Sequence, residues 1–344
     1  MGEICIDGII FSLQQRGGIS VYFHQLLHCL QLQRERATLT LEIPTRQQPT
    51  GLGPSTTVLG RAARFLERYR ACRLPQAASV FHSSYYRLPS DPGVPTVVTV
   101  HDFIYERYSS GPRRWVHLRQ KHAAIRAAQS LICISESTRQ DLLHWVGVRS
   151  GQTVHVIHNG VADSFFPIET SPAPRPYVLF IGERGGYKNF RLALQAMAFL
   201  PGLELHCVGG GALRSAELAG VDAGIRNRVR HLGFVSDQAL NELYNRALCL
   251  AYLSSYEGFG IPVVEAMRAG CPVVSMDCAA VKEVGAQALT IVAEPDPRRV
   301  ADAIAHAATS TARSSLVSQG LAVASGYSWA HTHSQTLDVY RSLA

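Results

Sequence analysis

The sequence predicts an α/β protein made of two doubly wound domains, and three observations carry that prediction. Short apolar runs alternate with helical patterns along the whole chain, as expected of βα units that assemble into parallel sheets. The runs form two series separated by a proline-rich stretch, Ser171 to Pro176, that neither helix nor strand could cross. The 344 residues, 47% apolar and 17% charged, exceed the usual size of one domain and can bury two cores.

Taken in order, the first series predicts strands over Ile4 to Ile10, Thr38 to Ile43, Ser79 to His82, Thr96 to Val100, Leu131 to Ser135 and Val154 to His158. The second predicts Tyr177 to Ile181, Leu203 to Val208, Val229 to Leu232, Leu248 to Leu253, Pro272 to Met276 and Ala288 to Val292. The expected organisation is a first domain over residues 1–170, a linker over 171–176, and a second domain over 177–325. A C-terminal helix within 326–344 is expected to return to the first domain. Two such domains facing each other would bind ligand in a cleft at the carboxyl ends of both sheets. Functional residues should therefore follow strands.

Composition narrows the class. No apolar run reaches the roughly 20 residues of a membrane span, and the acidic Glu3 and Asp7 are unlike a basic signal sequence, so a cytoplasmic protein is expected. Eight cysteines lie mostly within apolar runs and never form a C-x-x-C pair, which reads as buried thiols and not as disulfides or zinc ligands. The net charge of +7 is uneven: residues 1–170 hold 18 basic against 12 acidic side chains, and the remainder 15 against 14. Its densest piece, Arg61 to Arg73, interleaves Arg61, Arg64, Arg68, Arg70 and Arg73 with Phe65, Leu66 and Tyr69 on an expected helix. Such a helix suits an anionic membrane surface or plain solvent. No nucleic-acid recognition motif accompanies the charge.

The densest chemistry lies in Ser254 to Val274. Gly258 and Gly260 allow backbone angles closed to other residues, and Pro262 suits a first helical turn, so a helix should open near Ile261 and stop at Gly270. Its N-terminus offers N–H groups and a positive dipole end to an anion such as a diphosphate. Glu257 on the loop and Glu265 one turn inside the helix can accept hydrogen bonds from hydroxyls. After the strand YVLFI, the stretch Gly182 to Asn189 forms a second glycine-rich turn carrying Arg184 and Lys188. The chain has three lysines against 30 arginines, so a lysine there reads as part of an anion site and not as incidental solubility charge. Neither a Walker A loop nor a G-x-G-x-x-G opening a helix occurs: Gly209 and Gly211 come closest, but Arg214 takes the third glycine's place, which disfavours a dinucleotide-dependent dehydrogenase. In the first half, Gly17 and Gly18 follow the first strand, and His101 and Asp102 end the strand TVVTV.

The full set of motifs resembles the family 4 retaining glycosyltransferases of the GT-B fold, and is most similar to bacterial enzymes of exopolysaccharide or O-antigen synthesis. The resemblance rests on RGGISVYF, FHSSYY, TVVTVHDFIYERY, ISESTRQDL, VIHNGV, FIGERGGYKNF, GFVSDQALNELYNRA, and SSYEGFGIPVVEAM with its E-x7-E spacing. It implies that Arg184 and Lys188 hold the diphosphate of a nucleotide-sugar donor and that Glu265 binds the ribose hydroxyls. Glu257, with the backbone of Gly258, Phe259, Gly260 and Ile261, would hold the donor sugar. His101 would contact that sugar from the first domain, Gly17 and Gly18 would approach phosphate or acceptor, and the base would rest near Gly209, Phe234 and Val235. His158, where the family commonly has proline, and Lys282 to Val284, where it commonly has PEV, depart from the pattern at positions outside those assigned to chemistry.

The resemblance further implies transfer of a hexosyl group, with retention, from a UDP-glucose-like donor or GDP-mannose to a saccharide or lipid-linked acceptor. The sequence holds no Asp-x-Asp, so no metal and no cofactor are expected, and charge at the leaving diphosphate would come from Arg184, Lys188 and the helix N-terminus. A front-face displacement and a covalent intermediate through Glu257 stay open. A non-hydrolysing sugar-nucleotide epimerase or an inactive scaffold would share the frame, with the RGGIS and HD motifs fitting transfer better.

Overall fold

A computed structural model describes residues 2–14, 17–43, 49, 52–171 and 173–343. The chain divides into two compact units, one formed by residues 1–160 with 329–344 and the other by 161–328. Among the described residues no helix is long and apolar enough to cross a membrane.

The first unit is a seven-stranded sheet of β1 (Glu3–Asp7), β2 (Ala37–Ile43), β3 (Thr56–Ala62), β4 (Ala78–Ser83), β5 (Thr96–Val100), β6 (Ser130–Cys133) and β7 (Thr153–Val156). Its strands run in the order β3-β2-β1-β4-β5-β6-β7, and every pairing is parallel. Ile4, Ile6, Val80, Val97 and Ile132 face a core completed by Phe23, Leu26 and Leu30 of the helix Gly18–Leu32. The C-terminal helix Trp329–Arg341 packs on that same helix and buries Leu337, Val339 and Tyr340 in the core. Its Tyr340 hydroxyl meets His82 Nδ1 at 2.5 Å.

The second unit is a six-stranded parallel sheet of β8 (Tyr177–Ile181), β9 (Glu204–Val208), β10 (Val229–Gly233), β11 (Cys249–Tyr252), β12 (Val273–Met276) and β13 (Leu289–Val292), in the order β10-β9-β8-β11-β12-β13. Val178, Phe180, Leu205, Ala251 and Val274 pack with Phe190, Leu194, Val300 and Ile304 from covering helices.

Three expectations need correction. The first strand ends at Asp7, not Ile10, because the Asp7 carboxylate accepts the Ile9 N–H at 3.1 Å and starts a helical turn over Ile9–Leu13. The stretch Arg61 to Arg73 is not a helix. Its first residues close β3, a strand unforeseen in the sequence, Leu66 turns to a left-handed φ of 56°, and only Glu67–Tyr69 makes a 3₁₀ turn. Long-range charge decides this: Arg64 donates to Glu67 through backbone and side chain, and Glu67 in turn faces the buried Arg87. Third, the chain passes between units at 160/161 and 328/329, ahead of the proline-rich stretch. Residues after 160 belong to the second unit because Phe165 packs on Tyr244, and the side chains of Asn241 and Asn245 accept the N–H groups of Phe166 and Ile168.

Arg87 is the deepest charge in the first unit. It follows β4 and reaches Asp7 at the end of β1 at 2.5 Å, Glu42 of β2 at 3.0 Å and Glu67 at 2.9 Å, with its side chain fully buried. Desolvation pushes the Glu67 carboxyl up, but hydrogen bonds from Arg64 and the charges of Arg64 and Arg87 together pull it down to about 2. Glu42 is raised, burial outweighing Arg87.

Candidate active site

The strand order of the second sheet reverses between β8 and β11, because β9 and β10 extend one way from β8 while β12 and β13 extend the other way from β11. Loops leaving the carboxyl ends of the two strands at such a switch point diverge and leave a crevice for ligand. Both motif loops arise there. The first runs from Gly182 through the 3₁₀ turn Gly186–Lys188 to Asn189, which takes a left-handed φ of 55° and opens the helix Phe190–Ala196. The second runs from Ser254 to Gly260, whose φ of 108° opens the helix Ile261–Arg268.

The two loops are stitched together. Ser255 N–H donates to Tyr187 O at 2.8 Å, and Asn189 Nδ2 donates to Leu253 O and to Ser255 Oγ at 2.8 and 2.7 Å. This brings Lys188 Nζ to 2.5 Å from Glu257 Oε1, across 69 residues of chain. Both side chains are nearly buried yet keep a solvent-facing edge, 14% for Lys188 and 10% for Glu257. Lys188 also lies 5.3 and 5.5 Å from the ring centres of Tyr187 and Tyr252. The N-cap of Ile261–Arg268 is Gly260, which brings no side chain to cap the helix. The helix stops as expected: Gly270 takes a φ of 74°, its N–H returns to Met267 O, and Cys271 N–H returns to Ala266 O.

Glu265, half-buried on that helix, accepts from the Tyr244 hydroxyl at 3.0 Å. Desolvation raises its carboxyl to about 7 against the lowering effect of that hydrogen bond. A carboxyl poised there can accept from paired hydroxyls once ionised.

Arg184 sits in a different set of contacts from Lys188. Its Nε meets Glu217 at 3.1 Å, Nη1 meets Gly209 O at 3.1 Å, and Nη2 meets Gly211 O and Ala212 O at 2.5 and 3.2 Å. The guanidinium thus pins the loop after β9, where Gly209 and Gly210 hold φ of 79° and 62°. A side chain at Gly210 would come within 2.7 Å of Arg184 Nη1, so that glycine leaves room for the arginine. Phe234, after β10, is exposed and Val235 half-exposed, while Gly258 and Phe259 are buried.

His101, Gly17 and Gly18 belong to the first unit. His101 leaves β5 with its ring edge-to-face against Tyr22, 5.3 Å between centres. Burial, with Lys121 adding to it, drives its pKa down to about 3, so the imidazole is neutral in ordinary buffers. Its Nε2 is buried and without a partner among the described residues, an expensive arrangement unless a ligand completes it. Gly17 caps the helix Gly18–Leu32 through its N–H to Ser20 Oγ at 3.0 Å, and a side-chain carbon at Gly18 would meet nothing within 4 Å among the described residues. Asp102, beside His101, caps the turn at Ile104, and its carbonyl accepts from Lys121. Arg16 lies outside the described residues.

Sequence reasoning missed Asn189, Tyr244 and Glu217. Asn189 carried a signal, since asparagine between a turn and a helix is a ready left-handed residue. Tyr244 meets Glu265 and Glu217 meets Arg184 across 21 and 33 positions, separations that no local pattern announces.

The description "Glycosyl transferases group 1" matches residues 162–318 and "Glycosyltransferase Family 4" matches residues 16–165. The chain is 30% identical over 274 residues to the O-antigen chain mannosyltransferase B of Escherichia coli, covering 72% of this chain and 70% of that protein. Among solved structures it is similar to sucrose-phosphate synthase from Thermosynechococcus elongatus, with a TM-score of 0.81 and 19% identity over 100% of this chain and 99% of that one. It is also similar to HepE of Anabaena in complex with UDP-glucose, with a TM-score of 0.74 and 19% identity over 99% of this chain and 100% of that one. The structural likenesses establish the fold, and the sequence matches establish the kinship: the chain belongs to the family 4, group 1 glycosyltransferases, with the GT-B fold of two doubly wound α/β domains.

Proposed function

We propose that this glycosyltransferase transfers a hexosyl group, with retention, from a nucleotide diphosphate sugar to a saccharide or lipid-linked oligosaccharide during surface-polysaccharide synthesis, without a metal, at the inner face of the membrane. The observation that carries the reading is the Lys188–Glu257 pair at the switch point of the second sheet, beside a helix N-terminus with no side-chain cap. GDP-mannose is the first donor to test, because the relative from E. coli is a mannosyltransferase, and UDP-glucose the second, because HepE is seen with it.

Breaking the glycosyl phosphate bond builds positive charge on the sugar and negative charge on the departing diphosphate. The pair suits that change. A diphosphate competes with Glu257 for Lys188, and the ammonium then neutralises the leaving group while the freed carboxylate turns to the sugar hydroxyls. Arg184, held by loop carbonyls, acts mainly by fixing Gly209 to Ala212 under the nucleotide. Neutral His101 serves as a hydrogen-bond partner for a sugar hydroxyl and not as a cation. Retention follows most simply from a front-face displacement, in which a phosphate oxygen of the leaving group takes the acceptor proton.

The test is incubation of the purified protein with each donor and a bacterial lipid extract, with anomeric configuration read by proton NMR. An α-linked product from an α-linked donor supports the reading. An inverted linkage, or no transfer from any nucleotide sugar in a panel of UDP-, GDP- and dTDP-sugars, overturns it.

A further inference from the structure

The core of the first unit contains a run of polar side chains that the proposed chemistry does not use. His82 on β4, Thr99 on β5, Tyr22 on the helix Gly18–Leu32, and Thr336 and Tyr340 on the helix Trp329–Arg341 are all buried. Burying such groups costs stability unless each finds a hydrogen-bond partner. Here they find one another. The Tyr340 hydroxyl meets His82 Nδ1 at 2.5 Å, His82 Nε2 meets Thr99 Oγ1 at 2.9 Å, and Thr99 Oγ1 donates to the Tyr22 hydroxyl at 3.3 Å. The Tyr22 hydroxyl is also bonded to Thr336, and Thr336 Oγ1 donates to Thr332 O at 2.8 Å.

A hydroxyl has one proton to give, and that fixes the direction of the chain. Thr336 spends its proton on Thr332 O, so Tyr22 donates to Thr336. Thr99 donates to Tyr22, so it accepts from the His82 Nε2–H, and Nδ1 is left to accept from Tyr340. Burial, with His101 adding to it, drives the His82 pKa down to about 3, in keeping with a ring that carries one proton. The chain thus starts and ends on the C-terminal helix. Midway it passes through Tyr22, whose ring stands edge-to-face against His101, with 5.3 Å between centres. His82 and Trp329 flank the same ring at 6.4 and 6.1 Å. The backbone of His101 is hydrogen-bonded to the Tyr86 hydroxyl, but its Nε2 has no partner among the described residues, so packing against Tyr22 must help to set the angle of the imidazole.

We propose that Tyr22 is a positioning residue for His101, held in place by Thr99 and Thr336 and, through Thr99, by His82 and Tyr340. The inference rests on the preceding reading, in which His101 meets a sugar hydroxyl, and adds what aims the ring. A phenol anchored by two hydrogen bonds is fixed in tilt and depth, whereas a ring held by packing alone can shift, and a displacement of about 1 Å at the reacting centre can cost roughly a hundredfold in rate. The C-terminal helix then takes part in the site: Tyr340 opens the chain from 258 positions beyond His82.

The experiment uses the full chain with Tyr22→Phe, Thr99→Val and Tyr340→Phe, each close in shape to the native side chain, made singly and again with His101→Ala. Melting temperatures are recorded throughout, and three variants of one chain keep the test alive if one of them misfolds. Tyr22→Phe should lower kcat by roughly tenfold, within the range for a misplaced group, and the other two by less. The Kd for GDP and for UDP should stay at the wild-type value, because Lys188 and Glu265 belong to the second unit. In the His101→Ala background the same substitutions should change kcat by less than about twofold, since the ring they aim is gone. Losses that persist at full size in that background overturn the proposal, as does a wild-type kcat in Tyr22→Phe. The imidazole nitrogen NMR signals of His101, assigned by their loss in His101→Ala, give a readout without turnover. Tyr22→Phe should shift them in the protein free of donor, and unchanged signals overturn the proposal. Shifted signals together with a normal rate in His101→Ala would instead overturn the role given to His101 in the functional reading and leave Tyr22 as the residue that sets its ring.

Discussion

The two units place opposite charges at the same point of the same topology and use them differently. In each sheet the strand order reverses once, between β1 and β4 in the first and between β8 and β11 in the second. Across the first reversal Asp7 meets Arg87, with both side chains 0% exposed and with Glu42 and Glu67 closing in behind. Across the second Lys188 meets Glu257, with 14% and 10% left open. A crevice at a switch point is a consequence of topology, and side chains decide whether it stays one. In the first unit Arg87 fills it and becomes a structural ion; in the second the glycines around Lys188 and Glu257 keep it accessible to a ligand.

This contrast is sharpest at Arg87. Arg87→Met leaves three carboxylates buried without their shared cation, and removal of one partner of such a group costs roughly 3–5 kcal/mol. The loss should appear in chemical denaturation of the first unit. The same network predicts acid sensitivity. Glu67 is held at about 2, below its ordinary 4.5, so the stability it contributes is fully present above pH 4.5 and is lost as pH falls toward 2. Arg87→Met within 1 kcal/mol of wild type would show that the first switch point is not a structural ion site.

Lys188→Ala reverses the pattern. Its ammonium keeps a solvent edge, so stability should stay within about 1 kcal/mol, while turnover should fall by roughly 10² to 10³, the range for losing one preorganised donor at a leaving group. A variant that melts early but turns over normally would place Lys188 with Arg87, as structure and not chemistry.

How far the sequence reaches follows from how far each contact reaches. The helix Ile261–Arg268 was legible to the residue, because Gly260, Pro262 and Gly270 act on their own turn. Apart from β1, which stops three residues short of the expected Ile10, the strands were legible within a residue or two from their apolar runs, with β3 unforeseen. Its run is broken by Gly60 and leads into arginines that read as a helix face. The Arg87 network was invisible, because its partners lie 80, 45 and 20 positions away and no local pattern announces them. The Lys188–Glu257 contact spans 69 positions, and only likeness to a family placed both residues at one site. The stretch Arg61 to Arg73 reads as a helix face because its arginines alternate with apolar residues, but Arg64 is spent on Glu67 and only Glu67–Tyr69 makes a helical turn.

Glu265 offers a milder probe of the second switch point. With its carboxyl raised to about 7, the folded unit prefers the protonated form, so this group's contribution to stability is greatest below pH 4.5 and is lost as pH rises through 7. Hydroxyls of a bound nucleotide need the ionised acceptor. Donor affinity should therefore strengthen by up to roughly tenfold between pH 6 and 8, set by the ionised fraction of one such group. Glu265→Gln should flatten that profile. A slope that survives in the variant would assign the titration to another group.

The smallest expected effect is the removal of metal ions. Glycosyl transfer from a diphosphate needs positive charge at the leaving group, and enzymes supply it either with a divalent ion or with fixed protein donors. The chain has no Asp-x-Asp, and it sets Lys188 and a helix N-terminus without a side-chain cap at the ends of β8 and β11. EDTA should therefore leave the wild-type rate within about twofold, since fixed protein donors at the leaving group, each worth roughly 10² to 10³ in rate, supply the charge. Two further arms make the result decisive. Magnesium or manganese added to wild type should give no acceleration, and neither should restore Lys188→Ala, because Glu257 there is a single carboxylate and, among the described residues, no cluster of three or more possible ligands holds a divalent ion. Activity that vanishes on chelation and returns with either ion would mean that the second switch point holds a metal, and that Lys188 neutralises Glu257 instead of the diphosphate.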